Sequence, residues 1–219
     1  MKEKILMKSA LFDGLTAEET AAVLDNLPHT VRMYQRGQFL LHSGEPTQRF
    51  GIILDGEATI FREDYWGNRN ILTRIIPGDI FAESYACVPG SLMQVSVEAE
   101  CDCTVLWMGM SQFLNYAVTP LGDRLVRNLV ALLAKKTLIM NEKVTHVTQR
   151  SIREKVLSFL SAEAQRQGRE QFEICFNRQQ LADYLSVERS ALSAELSRMQ
   201  REGILSYHRN SFWLQRWKK

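Results

Sequence analysis

The spacing of apolar residues changes character three times along the chain, and each change predicts different architecture. Residues 1–30 read as helix in pieces. Thr16 with Glu19 three residues on forms a capping box, and Ala22, Val23 and Leu27 follow on one face. Residues 30–110 switch to short runs punctuated by glycines at 37, 44, 51, 56, 67 and 78, the turn spacing of an all-β domain. The runs are Phe39–Leu41, Gly51–Leu54, Ala58–Phe61, Ile71–Ile76, Val95–Ala99 and Cys103–Met108, with Asp64–Asn68 as a hairpin turn.

Residues 111–147 then carry a long helix with no Gly after Gly122 and no Pro after Pro120. Val126, Val130, Leu133, Thr137, Met140, Val144 and Val147 follow alternating spacings of four and three, a heptad seam that a lone helix leaves exposed. A second stripe of Leu125, Leu129 and Leu132 can face the β domain. The seam therefore suggests a parallel dimer, with packing on its own β domain as the alternative. Thr137 is the polar seam position.

The last third is helical and ends in a hairpin. Ser151 and Glu154 form a capping box ahead of Ile152, Val156, Phe159 and Leu160, and Gly168 closes that helix. Asn177 with Gln180 opens a second helix that turns Leu181, Ala182 and Leu185 inward. After a break at Ser186-Val187, a third helix buries Leu192, Leu196 and Met199 and leaves Arg189, Ser190, Ser193 and Ser197 outside. Two short helices at a tight turn, with small polar residues and an arginine outside, suit entry into a major groove. Arg189, at the start of the third helix, is placed to read a base. An exposed αα-hairpin is the plainer alternative. The following Ile204–Tyr207 and Phe212–Gln215 runs, joined through His208-Arg209-Asn210-Ser211, add a wing with a basic tip for backbone phosphate. The candidate DNA-binding residues are Arg178, Gln179, Glu188, Arg189, Ser190, Ser193, Ser197, Arg209 and Asn210.

Charge sharpens this picture. Of 219 residues, 45% are apolar and 24% charged, so a core can be buried, and the net charge is only +2. Residues 150–219, however, hold 13 Lys and Arg against 8 Asp and Glu, while residues 1–149 hold 14 against 17. Only the last third is suited to a polyanion. No apolar run reaches the roughly 18 residues of a membrane span, and Lys8 interrupts the N-terminal apolar stretch. A cytoplasmic location with reduced cysteines and no membrane contact is expected.

The whole chain resembles the CRP/FNR family of bacterial transcription regulators. The resemblance rests on Arg189-Ser190-Ala191-Leu192-Ser193 with Leu196 to Leu205 downstream, and on Pro77-Gly78-Asp79-Ile80-Phe81-Ala82-Glu83-Ser84. It implies an α+β fold: an effector-sensing, cyclic-nucleotide-binding-like jelly-roll β-barrel (1–116), a dimerisation helix (117–147) and a winged helix-turn-helix (148–219). It further implies a homodimer on a near-palindromic double-stranded operator with half-sites about 34 Å apart, and RNA polymerase as a partner. Two departures stand in the DNA-binding part. Ser186 occupies the family's turn glycine, and Ala194 stands where a second base-reading arginine can occur.

In cyclic-nucleotide members of the family a Glu takes the ribose hydroxyl, and an Arg followed by Ser or Thr holds the phosphate. Here Glu83 fills the first slot, but Met93 followed by Gln94 stands in the second. The charge-assisted fork for phosphate is missing, which argues against cyclic AMP. The candidate effector lining is Ala82, Glu83, Ser84, Tyr85, Cys87, Met93 and Gln94, with Lys136 and Thr137 from the long helix. It suits an unknown apolar or aromatic small molecule, whose carboxylate or phenolate Lys136 could balance. A filled core with no ligand is the alternative, making the chain a constitutive DNA binder.

Enzymatic chemistry is not expected. No nucleophile–base–orienter set is visible, and a cupin-like metalloenzyme would need clustered His and Glu ligands that are absent. His29, His42, His146 and His208 lack metal spacing. Cys101 and Cys103 would share one side of a strand as a thiol switch or half a metal site, or be small strand residues. Cys175 is expected to be buried.

Overall fold

In the computed structural model, which describes residues 2–66 and 69–215, the chain forms two compact units, 1–134 and 135–219. The first begins with α1 (Lys2–Leu6) and α2 (Ala17–Asn26), the latter opened by the Thr16–Glu19 capping box. Strands β1 (His29–Tyr34), β2 (Phe39–Leu41), β3 (Arg49–Asp55), β4 (Ala58–Glu63), β5 (Arg69–Ile75) and β6 (Ile80–Phe81) follow. Then come α3 (Glu83–Ala86), β7 (Ser96–Ala99), β8 (Cys103–Gly109), α4 (Met110–Asn115) and the long α5 (Pro120–Val147). The last two residues of the expected Asp64–Asn68 turn lie outside the described residues.

Among the described residues the strands form two four-stranded antiparallel sheets, β1-β8-β3-β6 and β2-β7-β4-β5. The sheets do not close on one another, so the expected barrel is an open, double-sheet jelly-roll type of domain. Alternation along β8 supplies two cores at once. Cys103, Val105 and Trp107 enter a cluster with Ile53, Ala58, Phe81, Met93 and Val97, while Leu106 and Met108 enter one with Phe12, Phe50, Phe113, Leu125 and Leu129. The second leucine stripe of the long helix thus packs on its own β domain, with Leu132 partly buried beside it. The heptad seam is only partly open in the single chain: Val130 and Met140 are each 60% exposed, while Val126 and Leu133 pack partly buried on the β-domain core.

Gly51 does not make a turn. It sits inside β3, where any Cβ would collide with the Phe81 ring and press on Val105. The apolar run Ile71–Ile76 forms most of edge strand β5, but it exposes Ile71, Leu72 and Ile76.

The second unit holds the end of α5, then α6 (Ile152–Gln167), β9 (Gln171–Glu173), α7 (Arg178–Leu185), α8 (Arg189–Arg201), β10 (Leu205–His208) and β11 (Ser211–Leu214). Its core joins Val156, Phe159, Leu160, Leu181, Leu185, Leu192, Leu196, Met199 and Phe212. Strand β9 has no alternating pattern long enough to be read from the sequence. It becomes the third strand of the wing sheet because Phe172 pairs with Phe212 and buries with it.

Candidate functional site

Local chemistry shapes the α7–α8 corner. The Asn177 side chain accepts the Gln180 N–H and Gln180 returns a bond to the Asn177 N–H, both at 2.9 Å, which starts α7. Ser186 ends it in the left-handed region at φ +53°, and the Val187 N–H reaches back to the Ala182 carbonyl. Lys155 adds a bond from α6 to the Leu185 carbonyl. Glu188 then caps α8: its carboxylate accepts from the Ala191 N–H at 2.9 Å and from the Ser190 hydroxyl. Those bonds, the hydroxyl's first, hold its carboxyl below the usual range.

Leu192, Leu196 and Met199 are fully buried, so the opposite face of α8 is presented outward. Arg189, Ser190 and Ser197 are exposed there and Ser193 is half-buried. The Ser193 and Ser197 hydroxyls donate to the carbonyls one turn back, at 2.9 Å each, and so lie flat along the helix. The result is a low-profile surface from which Arg189 stands out at the N-terminal end, with Arg201 lying toward Ser197 at the far end. At the wing tip His208, Arg209 and Asn210 are exposed, with Arg209 at φ +54° between paired His208 and Ser211.

Other members of the DNA set are placed differently. The Arg178 guanidinium is half-buried, 4.9 Å over the Tyr207 ring and 5.8 Å from Phe212, and burial lowers its pKa. Gln179 donates to Asp183 at 2.8 Å, and Glu188 is occupied as the cap. Sequence reading missed the brace behind α8. Arg153 pairs with Glu195 and Glu202, each at 2.7 Å, and Arg198 also pairs with the buried Glu195. These partners are 42 and 49 residues from Arg153, so no periodic signal links them.

The corner between β6 and α3 is built otherwise. Asp79 holds the turn by accepting the Ile76 N–H at 2.9 Å, and Ala82 then adopts φ +63° and begins α3 without a side-chain cap. Glu83 is only 2% exposed, with the Ser84 hydroxyl 3.5 Å from its carboxylate. Tyr85 packs against the inner cluster. Cys87 is half-buried with its sulfur 3.7 Å from that of Met110, and burial, then Glu83, pushes its thiol pKa up. Met93 is 2% exposed and part of the apolar core, so it offers no surface charge or donor. Gln94 is exposed and accepts from Arg62 of β4 at 3.5 Å, a neighbour that sequence reading did not include. Lys136 and Thr137 are exposed on α5, in the other compact unit.

The cysteines depart from expectation. Cys175 is exposed rather than buried. Cys101 precedes β8, is exposed, and accepts the Glu57 N–H, whereas Cys103 lies in the strand and is buried. The shared-face premise therefore fails. Burial, first among several causes, pushes the Cys103 thiol up to about 11. His42 stacks on Phe39 at 4.4 Å. Among the described residues no three His, Cys, Asp or Glu side chains gather as a metal site, and no helix is long and apolar enough to cross a membrane.

Comparison with known proteins identifies two modules. A cyclic nucleotide-binding domain matches residues 31–119 and a Crp-like helix-turn-helix domain matches residues 154–219. The chain is 36% identical over 81 residues to a cAMP-dependent protein kinase regulatory subunit of Mycosarcoma maydis, covering 37% of this chain and 15% of that protein. It is 32% identical over 88 residues to a CRP-like cAMP-activated global transcriptional regulator of Mycobacterium tuberculosis, covering 40% and 38%. The matches thus span well under half the length of these relatives. In fold the chain is similar to the Thermus thermophilus catabolite activator protein, with TM-score 0.52, 21% identity and 94% of each chain covered. It is also similar to the c-di-GMP responsive global regulator CLP of Xanthomonas campestris, with TM-score 0.56, 16% identity and 91% and 99% covered.

Proposed function

Because the chain belongs to the CRP/FNR family, whose members are regulators rather than enzymes, we propose that it is a sequence-specific, DNA-binding transcription regulator. It acts as a cytoplasmic homodimer on a near-palindromic operator, with RNA polymerase as a further partner, and is tuned by a small-molecule effector other than cyclic AMP. Residues 1–116 sense, 117–147 dimerise and 148–219 read.

The observation that carries this reading is the outer face of α8, where Arg189 stands above flattened serines on a helix whose inner face is fully buried. Small residues let the helix enter the major groove, and a guanidinium can take guanine O6 and N7 together. Arg209 at the wing tip and Asn210 are suited to backbone phosphate. Arg178, stacked on Tyr207, supports the wing and reaches phosphate only from its exposed edge. Two reading helices at a fixed separation require the α5 seam to pair, and the exposure of Val130, Met140 and Val144 supports that pairing.

For the effector, the core position of Met93 supports the exclusion of cyclic AMP, since an apolar side chain stands where the family's phosphate-binding arginine would be, and Arg62 beside it is directed to Gln94. The lining that the β domain contributes suits an apolar or aromatic molecule. Its binding shifts the dimer between two arrangements of α5.

Selection of operators from random duplexes tests the reading. Arg189→Ala is expected to relax preference at one position per half-site by roughly 1–3 kcal/mol. Arg209→Ala should weaken all sequences alike and flatten the salt dependence. Equal loss of specificity from both, or no duplex binding at low salt with or without effector, refutes it. Thermal-shift screening against metabolites, with cyclic AMP included, tests the effector, because a ligand bound only to the folded state raises Tm.

A further inference from the structure

We infer that His146 is a positioning residue for DNA binding: it locks the last turn of α5 to α6 and α7 as a neutral imidazole, and acid releases the lock. The inference rests on the DNA-reading function proposed above.

His146 is 3% exposed, although it sits in the final turn of a mostly exposed helix end. Its Nδ1 lies 2.7 Å from the Ser158 hydroxyl of α6. The ring meets Phe159 edge-on at 5.7 Å and Tyr184 of α7 at 6.3 Å. Tyr184 in turn packs on Phe159 and Phe176, with the Lys143 ammonium 5.4 Å from its ring. One side chain therefore joins three helices of the same unit.

The other ring nitrogen identifies the protonation state. Nε2 is buried and, among the described residues, has no hydrogen-bond partner. A bare lone pair tolerates that position far better than an N–H or a charge. The tautomer with Nδ1–H donating to Ser158 meets the requirement.

A second proton would go to Nε2. A Glu142 carboxylate oxygen lies 3.9 Å from it, beyond bonding reach, and that oxygen is also 3.3 Å from Arg166, which pairs with Glu163. To use Glu142 the imidazolium must move toward it and away from Ser158.

The facing charged and titratable groups are Glu142 and Lys143 on α5, Glu163 and Arg166 on α6, and Tyr184 on α7. Burial acts first and lowers the imidazole pKa; Glu142 and Glu163 oppose it and Arg166 adds to it. The carbonyl end of α5 acts in the same sense as the two carboxylates. The sign follows. A base whose pKa is lower when folded is favoured neutral, so the lock is complete above the ordinary histidine value of about 6.5 and weakens as pH falls below it. Since α5 also carries the proposed dimer seam, releasing its last turn frees each recognition helix from the dimer's geometry.

The full-length protein tests this in two arms. In the first, the His146 imidazole is followed by NMR through a pH titration, its signal identified by loss in His146→Asn. The expected midpoint lies below that of an exposed histidine, and Glu142→Gln lowers it further. A midpoint at or above the ordinary value overturns the inference. In the second arm, affinity for a two-half-site duplex is measured from about pH 7.5 to about pH 5.5. His146→Asn keeps a donor toward Ser158 and cannot titrate. Wild type is expected to lose about tenfold more affinity than this variant over that range, the equivalent of one pKa unit. His29→Asn, in β1 of the other unit, should follow wild type. Parallel losses in wild type and His146→Asn overturn the inference, and if that variant does not fold, Glu142→Gln replaces it with a larger acid loss expected, because the folded imidazole pKa then lies further below the released one. Absence of duplex binding at every pH defeats the proposed function instead, leaving the lock to be judged by the imidazole titration.

Discussion

The corner between α7 and α8 and the corner between β6 and α3 solve the same problem with different means. Each turns the chain sharply through a non-glycine residue at positive φ, Ser186 in one and Ala82 in the other. At the helix-turn-helix the surrounding bonds are local: Asn177 and Gln180 cap each other, and Glu188 caps α8. At the β6–α3 corner α3 starts with no side-chain cap, and Ala82, Tyr85 and Met93 rest against the inner cluster. The helix-turn-helix surface is thus set largely by short-range chemistry, whereas the β6–α3 corner takes its form from distant strands.

The comparison breaks first if the two units are not energetically separate. Leu196→Ala empties a fully buried site in the C-terminal unit and is expected to cost about 2–5 kcal/mol. In calorimetry only the transition of that unit should move; a matching shift in the β domain would contradict the division. Next comes the brace behind α8. Arg153→Ala should lower the urea midpoint, by less than Leu196→Ala does, because Arg153 is partly exposed and Arg198 remains on Glu195. An unchanged midpoint would make that brace decorative.

Ser186→Gly and Ala82→Gly probe the two corners directly. Removing a left-handed Cβ gains about 1 kcal/mol, less the extra freedom of glycine in the unfolded chain. A small rise in Tm is expected for each, the clearer one at Ser186, where the turn is exposed and locally bonded. A fall at Ser186 would mean that its side chain is needed. The smallest effect is chemical. At about pH 8, Cys101 and Cys175 should be alkylated quickly and Cys103 should resist, being buried with a thiol pKa of about 11. Rapid labelling of Cys103 in the folded state would show that β8 opens.

Legibility followed the same divide. The three capping boxes at Thr16, Ser151 and Asn177 and the buried face of α8 were readable because cap and periodicity signals act within one or two turns. The exposure of Cys175, the break between Cys101 and Cys103 and the role of Gly51 were not, because each depends on what a remote strand or ring brings alongside. Arg178 illustrates the limit within the site. Its charge and its place at the start of α7 suggest a free phosphate contact, yet Tyr207 and Phe212 of the wing take up its planar face.

By itself the sequence determined most of the strands, the capped starts of three helices, which face of α8 turns outward and that only the last third is basic. Those properties arise from hydrogen bonds and apolar spacing within a few residues. The tertiary structure alone decided that Met93 is core, that Arg153 braces Glu195 and that His146 is buried against Ser158 with one nitrogen unpaired. Burial and partnership are set by residues far away in the chain, and no local pattern encodes them.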